Sequence, residues 1–243
     1  MKLYSELAAW YPLLDAPCEH AEEAAFYGDR LAESGDDPAR TLLELGSGAG
    51  NNAMYLKDRF DVTLVDRAPA MLAVSSELNP GCEHIAGDMR DVRLGRSFDR
   101  VLIHDAISYM TTEADLRAAI ATAYAHCRPG GAALFAPDHI LEHFQPGAAH
   151  GGRDDDRRGL RYLEWTHELD PAGTTYSVDF AYLLRDGDLP VRLEHERHRM
   201  GLFPRAAWLR IIEEVGFRPT VVVFNHSELP PGTYELFLGT RPR

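Results

Sequence analysis

From Thr41 onward the chain alternates short apolar runs with amphipathic ones. TLLEL (41–45), DVTLVD (61–66), CEHIAGD (82–88), DRVLIHD (99–105) and AALFAPD (132–138) are apolar runs of strand length. NNAMYLKDRF, PAMLAVSSEL and EADLRAAIATAYAHC fall between them with helical periodicity. Strands that alternate with helices in this way build a parallel sheet through right-handed crossovers. Near the end, PRAAWLRIIEEVGF reads as a helix, and PTVVVFN and TYELFLGT as a closing strand pair. The expected fold is therefore α/β, with a doubly wound, mostly parallel sheet of seven strands.

Residues 137–203 break this rhythm. HILEHF is followed by PGAAHGGRDDDRRG, whose glycines and acids read as a mobile loop with a solvated acid run at 154–156, a candidate closing lid. LRYLEWTHEL, TYSVDFAYLL and VRLEHERHRM then read as antiparallel strands, with turns at DPAG (170–173) and RDGD (185–188). Four parts result: an N-terminal helical lid (1–38), a core (39–136), an antiparallel insert (137–203), and a returning helix and strand pair (204–243). Within the first part, Leu3, Leu7, Trp10, Tyr11 and Leu14 are spaced for a short amphipathic helix, and a second helix is expected over about 19–33. The insert leaves from the carboxyl end of the fifth strand, the edge where open α/β sheets bind ligands. It is expected to set substrate choice, to supply a homodimer interface, or both.

Composition narrows the functions. A net charge of −13 over 243 residues repels a phosphate backbone, and Arg157, Arg158 and Arg161 directly follow Asp154, Asp155 and Asp156, so no nucleic-acid surface is expected. The three cysteines, Cys18, Cys82 and Cys127, form no CxxC pair and read as free thiols of a reducing compartment. No run is long and apolar enough for a membrane span, and the N-terminal stretch has no secretory pattern. A cytoplasmic protein with a small-molecule substrate is the expectation.

Chemistry concentrates at Glu44-Leu45-Gly46-Ser47-Gly48-Ala49-Gly50. Glycines after a strand let the backbone pass close to a ligand, and the helix that follows offers free N–H groups. Glu44, two residues before the first glycine, can face an ammonium group, and Asp66 at the end of the next strand can accept both hydroxyls of a ribose. A nicotinamide enzyme would also use the ribose acid, but it spaces its glycines GxGxxG, and Asn51 stands at the third position. The acid before the first glycine suits the methionine end of S-adenosyl-L-methionine (AdoMet).

LLELGSGAG, LVDRAPAML, IAGDM (85–89) and FDRVLIHDAISYM together resemble, in order and spacing, the four motifs of class I AdoMet-dependent methyltransferases over about residues 40–136. The resemblance implies a Rossmann-like methyltransferase fold with AdoMet as cofactor. By position it implies that Gly46, Ser47 and Gly48 flank the methionine moiety, with Glu44 on its amino group. Asp66 would then hold the ribose, with Arg67 beside it and Met71 either near the adenine or simply a core residue. Asp88 and Met89 would read the adenine edge, and His104 would begin the floor beneath the sulfonium. GDMRD, the SYM after the fourth strand and GLF (201–203) resemble amino-sugar N-methyltransferases of antibiotic pathways. The N/D-P-P-Y/F tetrapeptide of base and amide N-methyltransferases is absent, HDAI standing there instead.

Methyl transfer needs alignment and exclusion of water, with a base only where the acceptor must lose a proton. His104 is either that base or a wall of the cofactor pocket, and Asp105 either binds a substrate amine or caps the next helix. His139, just past the fifth strand, is a substrate-facing candidate. With His143 four residues on, it would share one face of a helix, the spacing of a metal pair, but HExxH is absent and no metal is expected. His195 and His198 fall on opposite faces of a strand. Tyr4, Trp10 and Tyr11 form either an aromatic lid over the sulfonium or simply a docked helix. Tyr109 is a cleft-lining aromatic or a packed one. Of Tyr162 and Trp165, three apart on a strand, only one can face the cleft, and Trp165 is taken as the substrate contact. The activity expected is methyl transfer to a small molecule, an amine favoured over a hydroxyl. The alternatives are a nicotinamide oxidoreductase, a polyamine synthase using decarboxylated AdoMet, or a non-catalytic AdoMet-binding protein.

Overall fold

A computed structural model describes residues 1–170 and 173–243, with Glu168 and Leu169 by backbone alone. The turn expected at 170–173 thus falls partly on residues outside that set. The N-terminal part runs through a 3-10 turn at Ala8–Trp10, the short helix α1 (Tyr11–Leu14), a second 3-10 turn at Pro17–His20 and α2 (Ala21–Glu33). Five parallel strands follow: β1 (Thr41–Leu45), β2 (Asp61–Asp66), β3 (Glu83–Ala86), β4 (Phe98–His104) and β5 (Cys127–Ala136). Between them lie α3 (Ala53–Leu56), α4 (Pro69–Leu78) and α5 (Glu113–His126). The helix expected over 51–60 is thus only one turn. Asn51 and Asn52 at its start turn their side chains to Asp15 and His104, and the chain must re-enter the sheet at Asp61.

The insert forms its own four-stranded antiparallel sheet from β6 (Gly147–Gly151), β7 (Arg158–Leu169), β8 (Thr175–Asp186) and β9 (Arg192–Gly201). Here one expectation is corrected. Gly147–Gly151 is not a loop but an edge strand on β7, running from Gly147 opposite Thr166 to Gly151 opposite Tyr162. Its small residues are mostly exposed and carry no apolar alternation that could mark a strand. The acid run beyond it is ion-paired, Asp154 with Arg161 at 2.6 Å and Asp155 with Arg158 at 2.9 Å. His139 lies in the irregular segment after β5 and His143 in the turn that follows, neither on a helix, and His143 instead meets Glu235 at 3.0 Å.

The chain returns through α6 (Arg205–Val215), β10 (Arg218–Phe224) and β11 (Tyr234–Thr240). Strand β11 enters antiparallel to β5, giving the order β10-β11-β5-β4-β1-β2-β3. Helices cover both faces. On one side α5 and α6 pack with Trp208 stacked on Phe237 at 4.9 Å, and on the other Tyr27 and Leu31 of α2 meet Leu42, Leu102 and Leu134. Strand order reverses between β1 and β4, and a crevice opens at their carboxyl ends. Leu3, Leu7 and Leu13 pack against Leu160, Tyr182 and Leu184 of the insert, so the N-terminal segment ties the second sheet down over that crevice. Among the described residues no helix is long and apolar enough to cross a membrane.

Candidate active site

The glycine turn after β1 is held open by its own backbone geometry. Gly46 and Gly48 have φ of 75° and 53°, conformations an L side chain rarely adopts. A Cβ at Gly46 would lie 2.5 Å from Ala106 Cβ, whereas one at Gly48 would meet nothing within 4 Å. That open space belongs to a cavity of about 920 Å³ running from the turn to the inner face of the insert sheet. Asp66 at the end of β2 braces the turn, its Oδ2 accepting from Gly48 N at 2.8 Å and its Oδ1 from Ala68 N at 2.7 Å. Glu44 is 3% exposed, and its Oε2 has no hydrogen-bond partner. Burial pushes its carboxyl up to about 7, partly opposed by His104. Ser47 Oγ is likewise buried without a partner.

The cavity wall gathers most of the residues singled out in the sequence: Tyr11, Glu44, Gly46, Ser47, Gly48, Asp66 and Arg67 from the amino-terminal half. Asp88, Met89, His104, Asp105, Tyr109 and His139 join them, with Tyr4 reaching in from the N-terminal segment. Two expectations fail. Met71 is 1% exposed and packs against Ala8 and Ala49, behind the glycine turn rather than on the cavity wall. Trp165 is 55% exposed on the outer face of the insert sheet, stacked on His167 at 4.3 Å. Strand alternation turns Tyr162, not Trp165, toward the cavity.

A polar chain that sequence reasoning missed crosses the crevice. His20 donates to Asp15 at 2.7 Å and to Glu23 at 2.5 Å, and Glu23 lies 3.4 Å from His104 Nε2, which meets Asp105 at 2.7 Å. Burial alone would lower both histidines. Asp15 and Glu23 outweigh it at His20, lifting it to about 10. Asp105 and Glu23 do the same at His104, raising it well above the ordinary range. On the other side of the ring, Nδ1 meets Asn52 Nδ2 at 3.0 Å. Asp105 is the one non-glycine residue with positive φ, 35°, among those described. His139 meets the rings of Phe144 and Tyr176 edge-on, 5.5 and 5.4 Å away, and burial lowers its pKa. Tyr4 and Tyr109 join hydroxyls at 2.7 Å, and Tyr109 meets the buried His198 Nδ1 at 2.8 Å.

A family profile described as a methyltransferase domain matches residues 42–131, the segment that carries the glycine turn, Asp66, Asp88 and His104. Those residues carry an AdoMet-dependent methyltransferase domain, set in the seven-stranded sheet of the class I fold. The chain's similarity to curated relatives runs beyond that segment. The methyltransferase is 29% identical over 180 residues to the dTDP-3-amino-3,6-dideoxy-α-D-glucopyranose N,N-dimethyltransferase of Streptomyces fradiae, covering 73% of this chain and 70% of that one. It is 28% identical to the dTDP-3-amino-3,4,6-trideoxy-α-D-glucopyranose N,N-dimethyltransferase of Streptomyces venezuelae over 91% of both chains. Among solved structures it is similar to AdoMet-bound CalS10, an amino pentose methyltransferase of Micromonospora echinaspora, with 28% identity, a TM-score of 0.76 and 90% of each chain covered.

Proposed function

We propose that this methyltransferase transfers the methyl group of AdoMet to an amine of a small molecule, an amino sugar or related natural-product intermediate, in the cytoplasm. One observation carries the reading. Similarity to amino-sugar N,N-dimethyltransferases extends through the insert, and the insert's inner face walls the cavity beyond the glycine turn. The three free thiols support a reducing compartment.

The residues present suit the cofactor. AdoMet carries an α-ammonium, and Glu44 offers a buried oxygen with no partner. Gly46, Ser47 and Gly48 give backbone and a free hydroxyl beside it, and Asp66 and Arg67 stand where a ribose would follow. Asp88, held below the usual carboxylate range at about 2 by Arg90, and Met89 line the position assigned to the adenine. Tyr11 and His104 flank the junction between this half of the cavity and the acceptor half, where Tyr4, Tyr109, His139 and Tyr162 are the candidate contacts.

When bound, AdoMet supplies a methyl carbon already activated by a sulfonium, so the protein's tasks are alignment, dehydration and control of one proton. The N-terminal segment packs against the insert, and residues of both line the cavity where water must be kept from the reacting atoms. Asp105 and His139 are the candidates for contact with the acceptor amine.

Incubating the protein with AdoMet and the two dTDP-3-amino sugars named for its relatives, alongside their hydroxyl analogues, tests the reading. Mass spectrometry is expected to show methylated amines. Methylation of the hydroxyl analogues alone would overturn it. Leu163, Trp165, Leu183 and Leu193 leave an apolar strip exposed on the outer face of the insert sheet, which supports a homodimer. Sedimentation of the same preparation is expected to give twice the chain mass, and a monomer would remove that assignment.

A further inference from the structure

The acceptor half of the cavity is unusual in its charge. Asp105 follows β4 and Asp138 follows β5, neighbouring parallel strands paired up to His104 opposite Ala136. Asp105 N donates to Ala136 O at 2.9 Å and Asp138 N donates to Ser108 Oγ at 3.0 Å, so both backbones are fixed. The Asp138 carboxyl lies beside that of Asp105, which is half exposed and paired with His104 at 2.7 Å, and the Tyr176 hydroxyl approaches Asp138 from β8. Glu164 of β7 and His104 also act on Asp138, and Tyr4, Tyr109 and His139 complete the wall around it. No lysine or arginine among the described residues lines this half. The two arginines on the cavity wall, Arg67 and Arg90, belong to the half with Asp66 and Asp88. At the glycine turn, in the other half of the cavity, Glu44 Oε2, in a residue 3% exposed, stands without a partner.

We propose that the Asp105–Asp138 pair receives the acceptor as its ammonium, and that Asp138 and the acceptor nitrogen share one proton before methyl transfer. The proposal rests on the amine reading above. Two neighbouring carboxyls beside the single ring of His104 cannot both ionise cheaply, so an entering ammonium takes the place of the proton they hold, which leaves to water. The proton then passes from R–NH3+ to the Asp138 carboxylate, leaving R–NH2 and a carboxylic acid. The freed nitrogen lone pair forms the bond to the methyl carbon while the carbon–sulfur bond breaks and its electron pair goes to sulfur. The product leaves as a methylated ammonium with a neutral thioether, and Asp138 returns its proton to water. Burial, with Asp105 adding to it, holds Asp138 well above the ordinary carboxylate range, which narrows the gap to an amine and makes that transfer easier. A second methylation repeats the step on the secondary amine once it has lost its proton.

The test compares wild type with Asp138→Asn, with dTDP-3-amino-3,6-dideoxy-α-D-glucopyranose as acceptor. The reactive wild-type complex holds one proton between nitrogen and Asp138, so kcat/KM is expected to be bell-shaped in pH. In D138N only acceptor that arrives neutral can react. Near neutral pH the loss is expected at about 100-fold, and it should shrink as pH rises toward a plateau. AdoMet affinity by calorimetry, expected within about threefold of wild type, shows that the variant is folded. A loss of the same size at every pH, or an unchanged profile, would overturn the proposal. A second readout needs no acceptor. The infrared spectrum at neutral pH is expected to contain a protonated-carboxyl band in wild type that D138N lacks, and a wild type without it also overturns the pair. Turnover of hydroxyl sugars alone, with that band in place, would remove the amine reading itself and the ammonium site with it.

Discussion

Arg100 and Glu44 stand on the neighbouring strands β4 and β1, and both are buried charged residues, yet their surroundings are opposite. Arg100, 0% exposed near the amino end of β4, gives Nε to Leu31 O at 2.6 Å, Nη1 to Asp99 O and Nη2 to Asp37 O, both at 2.8 Å, and a further bond to the Ser34 carbonyl. The carbonyls of Leu31, Ser34 and Asp37 come from the end of α2 and the turn after it, so the guanidinium welds the N-terminal helix to the sheet. Glu44, one position before the carboxyl end of β1, keeps an oxygen with no partner. Close by, Asp105 holds a strained backbone, a conformation that costs about 1–3 kcal/mol. One end of the sheet completes its hydrogen bonds internally and supplies stability. The other leaves them open, as a ligand site must.

The largest expected effect falls at the completed end. Arg100→Ala deprives several buried carbonyls of their donor, each worth about 1–3 kcal/mol, so unfolding free energy is expected to drop by about 3 kcal/mol or more. AdoMet affinity of the folded fraction should stay within about threefold. Denaturant titration and calorimetry read the two quantities. A loss of affinity without a loss of stability would abolish the contrast between the ends.

Glu44→Gln is expected to do the reverse. It removes the charge that faces the cofactor's ammonium, and AdoMet affinity should fall roughly tenfold to a hundredfold, about 1.5–3 kcal/mol. Stability without ligand should not suffer. The folded-state pKa of Glu44 is raised from 4.5 to about 7, so the native state binds this proton more tightly than the unfolded chain. Wild-type stability is therefore lost as pH climbs from about 4.5 to about 7, by at most about 3 kcal/mol, and the variant should lack that part of the decline. Melting curves across that window in which the two proteins run parallel would show that Glu44 is not a strained acid.

How much of this was legible in the sequence follows from distance along the chain. The glycine turn, Glu44 and Asp66 could be read because strand ends, glycines and acids lie within a few residues of one another. Asp138 and Tyr176 lie on successive parts of the chain whose meeting depends on how the insert folds back, and no local pattern announces it. The chain from His20 through Glu23 to His104 joins residues some eighty positions apart, and each histidine alone resembles any other. The edge strand at 147–151 was hidden because exposed glycine and alanine carry no periodicity. Trp165 was misassigned because alternation shows that two residues face opposite ways without saying which way is in. Met71 sits on the motif that suggested a cofactor contact, but its side chain fills the gap between Ala8 and Ala49.

The smallest effect, and the most discriminating, is expected at Asp66, which belongs to both kinds of site. Its two oxygens accept from Gly48 N and Ala68 N, so without ligand it already braces the glycine turn and the start of α4. The sequence alone suggested a residue that serves the ribose. These bonds add a second task. Burial raises its pKa, the two backbone donors opposing the rise, so a neutral amide is an acceptable substitute for one oxygen but not for both. Asp66→Asn keeps one acceptor and turns an amide N–H₂ toward a backbone donor. Stability without ligand should fall by about 1 kcal/mol, and AdoMet affinity by about tenfold, since one ribose contact is weakened while the turn largely survives. Unfolding curves and calorimetry on the same preparation separate the two. Unchanged stability would make Asp66 a pure ligand residue like Glu44, and unchanged affinity would make it structural like Arg100.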